Sequence, residues 1–134
     1  MIGRWEPVAL RIAVVLAAIV PLAAGGAGMV QGAAFLKLHT AAGPLVDASS
    51  HIRYLSGLLF GIGIAFLVLV PRIERHRLAF GLLSGIVAVG GLARLASLGL
   101  EGPPSAGHLF GLFMELGVVP SLALWQRRVS RRAA

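Results

Sequence analysis

Apolar residues dominate four stretches of the chain: Ile12 to Val30, Tyr54 to Val70, Leu78 to Leu100 and Ser105 to Trp125. A helix needs roughly 17 to 25 such residues to cross a hydrocarbon core. With their flanks, the runs predict helices over about 7–30, 51–70, 77–100 and 105–126. The first two runs carry no charge, Arg94 alone interrupts the third, and His108 and Glu115 interrupt the fourth. The fold class that follows is all-α: a polytopic membrane protein, one four-transmembrane-helix up-down bundle filling residues 1–134.

Punctuation residues support these limits. Pro7 suits a first helical turn, where its missing N–H leaves no bond unmade. Pro21 falls inside the first span and predicts a kink near Gly25, Gly26 and Gly28. Gln31 to Ser50 reads as the longest connection, with Phe35, Leu36, Lys37 and Leu38 as a short interfacial helix. Asp47, Ser49 and Ser50 are candidate caps for the second helix, and Pro71 ends it. Gly102-Pro103-Pro104-Ser105 reads as a rigid turn with Ser105 as cap of the fourth helix.

Composition agrees: 57% of the 134 residues are hydrophobic and 13% charged, against about a quarter charged in soluble domains. The net charge of +7 changes the picture only through its placement. Arg4 and Arg11 open the first helix; Arg72, Arg75 and Arg77 join the second and third; Arg127, Arg128, Arg131 and Arg132 follow the fourth. This positive-inside pattern predicts a bacterial inner membrane protein with both termini cytoplasmic, Trp5 and Trp125 lying at the same interface. Arg11 is expected to snorkel to that face. The basic residues then meet anionic lipid heads, and no nucleic-acid partner is expected. The absence of cysteine excludes disulfide and dithiol chemistry.

Small residues recur four apart at Gly57 and Gly61, at Gly81 and Gly85 with Gly90 and Gly91 following, and at Gly107 and Gly111. This spacing suits close helix packing within the bundle, with a homo-oligomer through the same faces as the alternative.

The candidate chemistry lies with the embedded charges. A carboxylate inside a membrane helix faces protein, water or a cation. At about 1.5 Å per residue, Glu115 lies roughly 15 Å below Ser105, and Arg94 roughly 6 to 9 Å below the end of its own helix. His108, Gly111 and Glu115 share a face of helix four. Ser84, Val87, Gly91 and Arg94 share one on helix three with Ser97 a turn above, and Arg53, Gly57 and Gly61 share one on helix two. Packed inward, these faces predict an outward-opening polar pocket with Tyr54, His51 and Asp47 at its mouth. Arg94 and Glu115 are the candidate catalytic pair; Arg53, Tyr54, Ser97, His108, Gly91 and Gly111 are the candidate ligand-binding residues.

Two readings of the pair follow. It is a packing ion pair that fixes helix register, with Ser97 as helper, or it opens to bind a lipophilic molecule with a polar end. The histidines His39, His51 and His108 lack the i, i+4 spacing of a helical metal site. No phosphate loop or dinucleotide fingerprint is present, so no metal and no cofactor is expected.

The run from Gly90 to Ser97 containing Arg94, then Gly102-Pro103-Pro104, then Glu115, resembles the bacterial four-helix membrane family known as domain of unknown function 4345. Ile52 to Gly63, with Arg53 and Tyr54, resembles that family's second helix. The resemblance covers most of the chain, is specific mainly from Arg53 to Glu115, and extends over Met1 to Ser50 only in hydropathy. It implies the four-helix fold and the site, with no activity attached; the small DoxX-like membrane proteins are a looser analogy. Function is therefore expected among three kinds: a binder of a lipid or other lipophilic ligand with isomerase-like acid–base chemistry, an accessory subunit, or a small proton-coupled transporter.

Overall fold

The computed structural model describes residues 5–36 and 46–133. Among these residues every regular element is helical. α1 spans Glu6–Gln31 and runs on into a 3-10 turn, Gly32–Leu36. α2 spans Val46–Leu69 and also ends in a 3-10 turn, Val70–Arg72, with Pro71 at its start. α3 spans Arg77–Glu101. α4, Ala106–Phe113, continues through a π-helical turn, Met114–Val118, into α5, Val119–Ala133. The result is four continuous helical spans, each long and apolar enough to cross a membrane.

Several limits differ from the expected ones. α2 begins at Val46, so Asp47, Ser49 and Ser50 lie within the helix rather than before it. Asp47 sits in the first turn, where the helix dipole favours a carboxylate. Ser49 Oγ accepts the Ala33 N–H at 3.3 Å. Phe35 and Leu36 belong to the 3-10 turn; Lys37, Leu38 and His39, like Arg4, lie outside the described residues. α1 passes through Pro21 without a break. The fourth span reaches Ala133, past the expected end near residue 126. Arg131 and Arg132 fall in its last turn, where cations complement the exposed carbonyls.

The chain forms two compact units, one of residues up to Ala17 together with those from Val68 onward, the other of Ala18–Leu67. In the first unit α3 lies antiparallel to α5 and the π turn: Gly91 faces Glu115 and Leu116, and Gly81 faces Arg127. Leu10, Val14, Ile73, Phe80 and Val129 are buried here, as are the polar residues Glu6, Ser84 and Gln126. Gln126 donates from Nε2 to the Ile73 carbonyl at 2.7 Å, which ties α5 to the turn before α3. Glu6 accepts a hydrogen bond from Arg132 and forms an ion pair with Arg128, each at 3.2 Å. Arg11 donates to Glu74 in that same turn at 3.0 Å. Burial alone would raise the Glu74 carboxyl, but a backbone hydrogen bond and Arg11 outweigh it and hold the group below its ordinary value.

In the second unit α1 and α2 are antiparallel and very close. A Cβ on Gly25 would lie 2.7 Å from the Phe60 backbone nitrogen and the Ser56 carbonyl, and one on Gly63 would meet Leu22 at 3.0 Å. Gly32 has φ +58, a left-handed conformation that ends α1. Arg53 Nη1 reaches across to the carbonyls of Met29 and, at 2.7 Å, Val30. These carbonyls sit in the last turn of α1, where the helix supplies no partners of its own.

The glycine spacing marks the helix contacts only in part. Gly57, Gly81 and Gly111 have neighbours 3.7 to 4.0 Å from a built Cβ, Gly61, Gly85, Gly90 and Gly107 have none within 4 Å, and the tightest approaches fall at Gly25, Gly28, Gly32, Gly63 and Gly91. Close packing needs a small residue on the face that meets the neighbouring helix, and periodicity alone does not identify that face. Leu78, Leu82, Val89, Leu100 and Leu124 are exposed, as lipid-facing side chains are.

Candidate functional site

Arg94 and Glu115 meet across the seam between α3 and the fourth span. Arg94 Nε donates to one carboxylate oxygen at 3.0 Å and Nη2 to the other at 3.1 Å. This is the parallel two-bond geometry that arginine forms with carboxylates. Both side chains are only partly covered, 32% exposed for Arg94 and 17% for Glu115. Arg94 Nη1 has no partner among the described residues.

The local backbone positions the carboxylate. Glu115 is the second residue of the π turn, in which the Val119 N–H bonds the Met114 carbonyl five residues back. Pro120 gives a physical cause. It has no N–H, and in an α-helix its ring would press on the Leu116 carbonyl. A wider turn relieves that clash, and such turns concentrate at functional sites. Ser121 Oγ donates to the Gly117 carbonyl at 2.7 Å, covering an acceptor at the end of the same turn.

Two glycines fit around the pair. A Cβ on Gly91 would lie 2.9 Å from Glu115 Cβ and 2.8 Å from Leu116 Cδ2. Gly111 lies under the Arg94 guanidinium, with Cζ 3.7 Å from its built Cβ. Both candidate ligand-binding glycines thus flank the ion pair and let its partners approach.

The other candidates are placed differently. Ser97, expected to help the pair, donates instead to Glu101 Oε2 at 2.8 Å, one turn along its own helix. A carboxylate four residues away on the same face is the nearer acceptor. His108 Nδ1 lies 3.1 Å from Ser105 Oγ, which makes no capping bond although Ser105 is the N-cap of α4 as expected. Arg53 and Tyr54 belong to the second unit, where Arg53 serves the α1 carbonyls and Tyr54 is exposed. No group of three or more metal-ligating side chains occurs among the described residues.

Sequence reading missed the π turn and the buried carboxylate Glu6. Pro120, five residues after Glu115, is the signal for the first. Arg128 and Arg132, four apart on one face of a helix, are the signal for an acidic partner such as Glu6.

These features define a multi-pass membrane protein with an ion pair inside its spans. A family model described as "Domain of unknown function (DUF4345)" matches residues 9–126. The chain belongs to that family, as the Arg94 and Glu115 runs implied. No curated protein and no solved structure matches it.

Proposed function

We propose that the protein binds a lipophilic molecule with one polar end, and that the Arg94–Glu115 pair is the gate and anchor for that end. The observation that carries this reading is Arg94 itself. It holds Glu115 by two bonds yet keeps Nη1 and a third of its side-chain surface free. A ligand carboxylate, carbonyl or hydroxyl can take the free donor and then compete for the pair. Glu115 released from Arg94 becomes a proton acceptor or a hydrogen-bond anchor in a low-dielectric setting. The arginine-rich end is cytoplasmic by the positive-inside rule, the membrane being a bacterial inner membrane.

Native mass spectrometry of protein purified from its own membrane tests this. A co-purifying molecule lost in Arg94→Ala supports the reading; no retained molecule in any preparation sinks it. If the bound molecule is turned over, Glu115→Gln abolishes turnover in folded protein, and full activity in that variant removes the acid–base role.

A second reading is an accessory subunit in which the pair fixes helix register. The close fit of Gly91 against Glu115 favours it, since a packing lock needs that complementarity. It predicts a stable partner protein in mild detergent, and a lone monodisperse monomer counts against it.

A further inference from the structure

Three buried polar atoms of the first unit have no hydrogen-bond partner among the described residues: Arg11 Nε, Ser84 Oγ and Gln126 Oε1. Gln126 is wholly buried and Ser84 is 5% exposed. Leaving such a group bare costs free energy, and native proteins rarely do it. Among membrane-spanning helices lipid offers no bond in place of the missing one.

The bonded ends of two of these side chains show where they converge. Arg11 Nη2 donates to Glu74, and Gln126 Nε2 donates to the carbonyl of Ile73. Ile73 and Glu74 are consecutive residues of the turn before α3, so α1 and α5 each send a side chain to that turn. Ser84 approaches from α3. Gly81 faces Arg127, the residue after Gln126. Ser84 follows Gly81 by about 4.5 Å along the helix axis. Its side chain leans back toward the start of α3, as helical side chains do. Phe80, one turn before Ser84 on the same face, and Ile73 are both buried.

We infer that these three atoms form a binding site for one internal water molecule. Arg11 Nε–H can only donate, Gln126 Oε1 can only accept, and the Ser84 hydroxyl can do either. Water accepts from the first, donates to the second and bonds the third in either sense. About three bonds is the usual number for a buried water. A cation there would meet the Arg11 guanidinium, and an anion would meet the Gln126 oxygen and the Glu74 carboxylate. The water joins α1, α3 and α5 beside the turn that Arg11 and Gln126 hold. Along α3 the site lies about 15 Å from Arg94, and it does not depend on the role of the Arg94–Glu115 pair.

Radiolytic hydroxyl-radical footprinting in mild detergent is the test. A bound water labels the side chains beside it even where bulk solvent does not reach. In the wild-type protein Ile73 and Phe80 take up label although they are 0% and 1% exposed. Arg11→Lys keeps a cation opposite Glu74 and removes the Nε donor, and combined with Ser84→Ala it loses that label. Ser84→Ala alone lowers the melting midpoint by about 4 °C, because a water bond is lost. A bare hydroxyl predicts the opposite, since replacing an unpaired polar group by a methyl relieves its burial. A raised or unchanged midpoint therefore overturns the proposal. So does an unlabelled Ile73 and Phe80 in the wild type, or label that persists in the double variant. Uniform label over every buried residue of the unit marks general opening and overturns it as well. The wild-type arm decides the matter even if the double variant fails to fold.

Discussion

Gly91 on α3 and Glu115 in the π turn stand so close that a methyl group on the glycine would fall 2.9 Å from the Glu115 Cβ. The neighbouring Leu116 side chain would be 2.8 Å away, so the new methyl has contacts on two sides. Gly91→Ala therefore forces the seam apart. Overfilling of this kind costs about 1 to 3 kcal/mol. A thermal melt in detergent or lipid nanodiscs checks it, and an unchanged midpoint contradicts the packing described.

Pro120 holds the π turn open, so Pro120→Ala returns the missing N–H and allows an α-turn to form. Each residue removed from a helical turn rotates the preceding side chains by about 100° against the following ones. Glu115 then leaves Arg94. The readout is a double-mutant cycle of Arg94→Gln and Glu115→Gln. In the wild-type background it should give a coupling of about 0.6 kcal/mol and at most about 1.7, the range for polar pairs between membrane helices. In Pro120→Ala the coupling vanishes. Coupling that persists there shows that the proline does not set the register.

Arg53 closes the end of α1 by donating to the Met29 and Val30 carbonyls. Arg53→Met keeps much of the side-chain length and removes the donors. A hydrogen bond to a charged group contributes about 1.5 to 3 kcal/mol. Faster amide hydrogen exchange through the last turn of α1, with exchange in α3 unchanged, is the expected result. Uniform exchange across both helices would show that the cap is not local.

Glu74 links stability to pH. Its folded-state carboxyl is held below its ordinary value. The unfolded chain therefore binds the proton more readily, and stability rises with pH through that interval. The contribution is fully present above the ordinary carboxylate range. It is lost as pH falls through the lowered folded value. Melting midpoints of wild type and Glu74→Gln should differ near pH 7 and converge in acid. A gap that widens in acid reverses the sign and rejects the Arg11–Glu74 pairing as its cause.

The four spans were legible in the sequence because lipid demands long apolar helices and leaves few alternatives. Arg94 and Glu115 were legible because each is the sole formal charge within its apolar run. The details around them were not. Ser97 shares a helix face with Arg94, yet Glu101 four residues on takes its hydroxyl. Gly81, Gly85, Gly90 and Gly91 read as one packing series on α3, and among them the tight contact falls at Gly91 alone. Composition specifies that a helix can pack closely, and only the neighbour's position specifies where. The start of α2 at Val46 escaped notice because Asp47, Ser49 and Ser50 have the chemistry of caps while their backbone is helical.

The π turn has a consequence for comparing this chain with its relatives. Such a turn accommodates one residue more than the α-turn it replaces, as a single-residue insertion does. Relatives lacking the insertion would carry the fourth span one position shorter between Phe113 and Pro120. Ungapped alignment would then set the wrong residue opposite Glu115 and make a retained carboxylate look lost. A one-residue gap placed within Met114–Val118 keeps such ancestry readable.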